Sequence, residues 1–188
     1  EMQRSLVGSE MCIRDRPMTM IMFDIDHFKQ VNDIYGHVIG DRVLQQVTAV
    51  VRIVLTENDP QLILYRTGGE EFNILLPNYS LADSQTIVNQ IFIAINHLTI
   101  QTGQGKLQLS ISVGVSALAA TDHSPIDFYK RVDRKLYQSK RRGRMTVTSD
   151  WSWKTKITKN GSRTSILMMK SVASGRRWLH ADEGPGQA

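Results

Sequence analysis

The 188 residues, 41% of them apolar and 22% charged, suit one hydrophobic core rather than two full domains and exclude a disordered or fibrous polymer. The formal charge of +5 is unevenly placed: residues 1–17 are net 0, residues 18–148 net +1 and residues 149–188 net +4, which weakens the case for nucleic-acid binding through a basic face of the middle, and no nucleic-acid partner is expected. Cys12 is the only cysteine, which excludes an internal disulfide and a cysteine-based zinc site; with no run near the ~18 apolar residues of a membrane span and no signal peptide, a cytoplasmic chain without membrane contact is expected.

Met18 to Ile25 is a short apolar run ending in carboxylates, which predicts a buried strand. Val43, Leu44, Val47, Val50, Val51, Val54 and Leu55 recur on one helical face and predict a helix of about four turns. Leu62 to Arg66 and Phe72 to Leu76 predict a hairpin, with Gly68 and Gly69 expected to supply the positive φ of a tight turn. Ser80 and Asp83 mark a helix start before the stripe Ile87, Val88, Ile91, Phe92, Ile95 and Leu98. Gln108 to Ala117 alternates apolar and small residues and predicts one long strand. Ser124-Pro125 opens a third helix with the stripe Tyr129, Val132, Leu136 and Tyr137; Gly143 ends it, and Met145 to Thr148 predicts a closing strand.

The order strand, helix, hairpin, helix, strand, helix, strand predicts an α/β (α+β) fold with a mixed sheet and flanking helices. Residues 1–17 and 149–188 show no sustained period and are set apart from the 18–148 domain. They are expected to be disordered, or foreign sequence from cloning, read-through or assembly.

Two places combine carboxylates with unusual backbone: Phe23-Asp24-Ile25-Asp26 and the hairpin tip Gly68-Gly69-Glu70-Glu71. Adjacent carboxylates repel unless a cation or proton neutralises them, and clustered hard oxygens suit Mg²⁺ or Mn²⁺, which in turn suggests a phosphate substrate. The plainer alternative makes Asp24 and Asp26 a strand end and the N-cap of a turn over His27 to Asp33, with Glu70 and Glu71 as solvated turn residues. Spacing alone leaves both open.

Further blocks lie in fixed order around these two: Phe23-Asp24-Ile25-Asp26-His27-Phe28-Lys29-Gln30-Val31-Asn32-Asp33, Tyr35-Gly36-His37-Val38-Ile39-Gly40-Asp41, Arg66-Thr67-Gly68-Gly69-Glu70-Glu71-Phe72, Ser110-Ile111-Ser112-Val113-Gly114-Val115, and Arg131-Val132-Asp133 with Leu136-Tyr137-Gln138-Ser139-Lys140 and Gly143-Arg144. Together they resemble the GGDEF family of diguanylate cyclases, in its GGEEF variant, over about residues 18–148. The resemblance implies a nucleotide-cyclase-like central sheet carrying the signature hairpin. It implies a reaction in which two GTP molecules become cyclic di-GMP and two pyrophosphates, with a homodimer bringing two sites face to face. It implies Mg²⁺ or Mn²⁺ held by the Asp24 carboxylate, the Ile25 carbonyl and Glu70, with Glu71 assisting at a second ion and Glu70 helping to deprotonate the attacking hydroxyl.

Lys29 matches the lysine facing the reacting phosphate, Lys140 and Arg144 the pair on the triphosphate tail, and Asn32 and Asp41 the residues that read guanine, with His37 in the same block. Asp41 could equally cap the long helix. Arg141 and Arg142 read as a solvated helix end. Three departures stand out. The family's opening Asp-x-Leu-Thr-Gly-Leu-x-Asn-Arg segment is not recognisable in residues 1–17, so the domain reads as N-terminally incomplete. Its Arg-x-x-Asp product-inhibition motif is replaced by Asp59-Pro60-Gln61-Leu62, so feedback there is not expected, and Met145 stands where Asn is common. The alternative function is a non-catalytic GTP-binding regulatory module that lost turnover with the first helix.

Overall fold

A computed structural model describes residues 16–150; expectations for residues 1–15 and 151–188 lie outside the described residues. In chain order the elements are β1 (Met18–Ile25), α1 (Phe28–Tyr35), α2 (His37–Asn58), β2 (Ile63–Arg66), β3 (Glu71–Pro77), α3 (Ser84–Asn96), β4 (Thr99–Thr102), β5 (Gly105–Gln108), β6 (Ile111–Ala117), α4 (Pro125–Arg141) and β7 (Val147–Ser149). Five strands form a mixed sheet in the order β2-β3-β1-β6-β7, while β4 and β5 form a separate hairpin. All pairings in the large sheet are antiparallel except β6 with β7. Among the described residues no helix is long and apolar enough to cross a membrane.

Alternation along β1 decides what each layer receives. Ile21, Phe23 and Ile25 join the large core under α1, α2 and α3, whereas Met22 packs with Phe128, Val132 and Leu136 of α4, with Met18 and Met20 at its edge. Both faces are covered, and for that reason the strand reads as a continuous apolar run. Asp24 shares the parity of the methionines and lies on the α4 side. That helix comes unusually close to the sheet at Gly114, where a Cβ would stand 2.3 Å from the Leu136 backbone nitrogen and 2.7 Å from the Val132 carbonyl oxygen. Only glycine permits this approach.

Several expectations are corrected. The long helix has 22 residues rather than about four turns, because it begins at His37, before the apolar stripe, and runs on to Asn58 beyond it. A short helix, α1, precedes it. The single strand from Gln108 is two: β5 ends at Gln108 in its hairpin with β4, and β6 begins at Ile111, the alternation running on through a change of pairing partner. On α4 the buried stripe is Phe128, Val132 and Leu136, while Tyr129 and Tyr137 are 42% and 59% exposed. The Ser124 cap and Pro125 start of that helix stand as read, its hydroxyl accepting from the Asp127 N–H. Ser80 and Asp83 exchange hydrogen bonds one turn before α3, Ser80 Oγ donating to Asp83 at 2.6 Å.

Candidate active site

The hairpin tip is organised by a side chain, not by glycine torsions. Gly68 and Gly69 are absent from the positive-φ residues, contrary to expectation. Instead the Arg66 guanidinium donates to the carbonyls of Gly68 at 3.2 Å and of Gly69 at 2.8 Å, and the Thr67 N–H donates to the Glu71 carbonyl at 3.0 Å. The turn thereby closes against the end of β1: the Ile25 N–H donates to the Glu70 carbonyl at 3.3 Å, and Asp24 faces Glu71 in the strand register. Asp24, Ile25, Glu70 and Glu71 therefore share one corner.

Within it Asp24 is buried, 6% exposed, and its Oδ2 accepts from Lys140 Nζ at 2.8 Å. Its pKa is raised to about 6, first by burial, which the Lys140 hydrogen bond and charge oppose and the negative charges of Glu70 and Glu71 reinforce. One ammonium does not offset what burial and two glutamates impose, so the corner favours further positive charge. Among the described residues no three His, Cys, Asp or Glu side chains are gathered closely enough to hold a metal by themselves. The donors at hand are carboxylates and a backbone carbonyl, without sulfur or imidazole, which fits a hard divalent cation and not a soft one.

Asn32 and Gly40 meet at the corner between the first two helices, with Asp41 next in the chain. Gly36, with φ +80°, turns the chain, and its N–H caps α1 on the Asn32 carbonyl at 2.9 Å. A Cβ on Gly40 would stand 1.9 Å from Asn32 Oδ1, so the amide lies directly on the backbone preceding Asp41. Asp41 is exposed inside α2, whose N-cap is Gly36, and the capping alternative for it is overturned. Lys29 in the first turn of α1 and His37 at the start of α2 are exposed. Among the described residues no hydrogen bond or ion pair joins either of them, or the Arg144 side chain, to the acidic corner.

The sequence reading missed the role of Asp26. It does not cap α1, whose N-cap is His27; its side chain instead accepts from Ser110 Oγ at 2.8 Å, Ser112 Oγ at 2.7 Å and the Met145 N–H at 3.1 Å. The signal was available: Ser110 and Ser112 are among the small residues that alternate with the apolar ones from Gln108 to Ala117, and a covered serine needs a partner. Ser139 Oγ likewise ties α4 to β6 and β7 through the Val113 carbonyl and Thr148, both at 2.7 Å, next to Lys140.

A family model described as diguanylate cyclase, GGDEF domain, matches residues 7–146, starting inside the segment that the sequence reading set apart. The response regulator PleD of Caulobacter vibrioides is 37% identical over 134 residues, covering 70% of this chain and 29% of that protein. Diguanylate cyclase A of Treponema denticola is 34% identical over 131 residues, covering 70% and 34%. The chain thus spans about a third of the length of these relatives. Among solved structures, the active GGEEF domain of a diguanylate cyclase from Vibrio cholerae superimposes with a TM-score of 0.66 at 30% identity, over 79% of this chain and 92% of that one. The GGDEF domain of DgcB from Caulobacter crescentus, in complex with c-di-GMP, gives 0.67 at 28% identity, over 78% and 84%.

Proposed function

The chain belongs to the family of diguanylate cyclase GGDEF domains, and from that premise we propose that it condenses two GTP molecules into cyclic di-GMP, with two copies of the chain each presenting one nucleotide. In each half-reaction the 3′-oxygen of one GTP bonds to the α-phosphorus of the other, the bond to pyrophosphate breaks, and the hydroxyl proton leaves. Two such transfers close the ring and release two pyrophosphates.

The observation that carries this reading is the corner where the buried Asp24 meets the hairpin glutamates under Lys140. Asp24, the Ile25 carbonyl and Glu70 would hold a divalent ion, Mg²⁺ or Mn²⁺, with Glu71 at a second; when bound it neutralises charge on the phosphates. Glu70 is the group suited to accept the hydroxyl proton. Lys140 and Arg144 carry positive charge beside the place where a triphosphate tail would run, and Lys29 would serve the reacting phosphate. Asn32 and Asp41 pair an amide with a carboxylate, the combination that satisfies both donors and acceptors of guanine, with His37 beside them.

Incubating the purified chain with GTP and Mg²⁺ and chromatographing for cyclic di-GMP tests the reading. Glu70→Ala is expected to lose at least ~100-fold in rate; equal product from both proteins would sink it. One observation favours a second reading, a GTP-binding module without turnover: the Lys140 ammonium already sits on the Asp24 carboxylate that a cation would need. Tight binding of a non-reacting GTP analogue without product from GTP would select that alternative.

A further inference from the structure

Asp26 lies two residues beyond Asp24 and is 5% exposed, yet none of its partners belongs to the acidic corner. Its Oδ2 accepts from Ser110 Oγ at 2.8 Å and from the Met145 N–H at 3.1 Å, its Oδ1 from Ser112 Oγ at 2.7 Å, and its own N–H donates to the Ser110 carbonyl at 2.9 Å. One carboxylate thus fastens the end of β1, the start of β6 and the turn that follows α4.

That turn is an improbable stretch of backbone. Gly143, Arg144 and Met145 have φ of +105°, +65° and +45° in succession, and two of the three are not glycine. Left-handed torsions at ordinary residues persist only where the surroundings hold them. Two hydrogen bonds do so here: the Arg144 N–H donates to the Ser139 carbonyl at 3.2 Å, and the Met145 N–H donates to Asp26. The first belongs to the helix end itself. The second is the bond that joins the turn to the strand bearing Asp24.

We propose that Asp26 is a positioning residue which, through the Met145 N–H, fixes Arg144 where it meets the terminal phosphates of the bound nucleotide. The inference rests on the reading above that Lys140 and Arg144 serve a triphosphate tail. Lys140 is tied to Asp24 and the turn after it to Asp26, so the end of α4 is stapled to β1 at two points, one on each side of Ile25. With the second staple removed, Arg144 is free to swing while the guanine corner around Asn32 and Gly40 stays as it is. Asn at position 26 can keep its amide oxygen on Met145 and Ser110 and turn its NH₂ to Ser112, whose hydroxyl then accepts.

Calorimetric titration of the full chain with Mg²⁺ and α,β-methylene-GTP, and separately with GMP, tests this in wild type, Asp26→Ala and Asp26→Asn. Wild type is expected to prefer the triphosphate. Asp26→Ala should lose roughly tenfold for the triphosphate and little for GMP, while Asp26→Asn stays within about threefold of wild type for both. Should the alanine variant not fold, Asp26→Ser, whose hydroxyl is too short to reach Met145, takes its place with the same expectation. Adding Arg144→Ala to Asp26→Ala, or to Asp26→Ser where that stands in for it, should cost nothing further. Equal losses for GMP and the triphosphate, no loss at all, an asparagine variant as weak as alanine, or additive losses with Arg144→Ala would overturn the proposal. A wild type without preference for the triphosphate would instead overturn the placement of the phosphates, and this inference with it.

Discussion

The two faces of the sheet are held by different means. Under α1, α2 and α3 the contacts are almost wholly apolar, with Phe23 stacked on Phe72 at 5.0 Å between ring centroids and Val43, Val47 and Val51 of α2 and Ile91 of α3 buried in the same core. Under α4 the apolar cluster has four buried members, Met22, Phe128, Val132 and Leu136, and the buried polar residues gather beside it: Asp24, Asp26, Ser112, Ser116, Ser139 and Thr148. The first face needs only area removed from water; the second depends on hydrogen bonds and one close backbone contact. Buried carboxylates are tolerable only where partners are fixed in advance, so the second face can hold Asp24 and Asp26 where the first could not.

The apolar face is the more costly of the two to disrupt. Phe23→Ala removes a fully buried ring and its stacked partner's support, and is expected to lower the unfolding free energy by about 3–5 kcal/mol, read by urea denaturation. On the other side the weak point is a contact, not a side chain. Gly114→Ala places a methyl against backbone atoms of α4 that cannot rotate away, so a loss of about 1–3 kcal/mol is expected by the same measurement. Because the helix must shift outward to admit it, cyclase activity should fall by more than the population of folded protein does.

The smallest expected effect has the opposite sign. With its pKa raised to about 6 from an unperturbed 3.8, folded Asp24 holds a proton that the unfolded chain releases. The stability this proton contributes is fully present below pH 3.8 and is lost as pH rises through about 6. At neutral pH the ionised carboxylate is a burden on the fold in the absence of a divalent ion. Asp24→Asn should therefore stabilise the metal-free chain by about 1–2 kcal/mol at pH 7.5, with the gain gone by pH 4, while abolishing activity. Thermal melts across that range, in chelator, check it; a variant less stable than wild type at pH 7.5 would contradict the account of the corner.

The apolar face was legible in the sequence because periodicity is a direct record of burial. The stripe from Val43 to Leu55 and the run from Ile87 to Ile95 sit in the core where the pattern put them. The α4 face was less legible for the same reason. Gly114 and the serines of β6 show in the sequence only as small residues between apolar ones, although each is covered, since small residues mark close approach and solvent exposure alike. Tyr129 and Tyr137 were read as core and lie outside, while Phe128 is inside.

The convergence of Asp24 with Glu70 could be anticipated only from the order of the motif blocks, because it depends on β1 and β3 lying side by side, a long-range pairing that no local pattern specifies. The turn chemistry was misjudged because paired glycines suggest left-handed torsions, and nothing in the spacing says that Arg66 would hold their carbonyls. Asp26 was hidden by its neighbour: beside a carboxylate with an obvious task, a second one reads as its duplicate.

The central claim is that Asp24 and Glu70 act on one divalent ion that grips the phosphates of bound GTP. A double-mutant cycle on the Mg²⁺-dependent affinity for α,β-methylene-GTP, comparing wild type, Asp24→Asn, Glu70→Gln and the double variant, tests it most directly. If both carboxylates serve one ion, the double variant should bind little worse than the weaker single, a coupling of at least ~1 kcal/mol. Losses that simply add, or affinity that does not respond to Mg²⁺ in the wild-type chain, would contradict it.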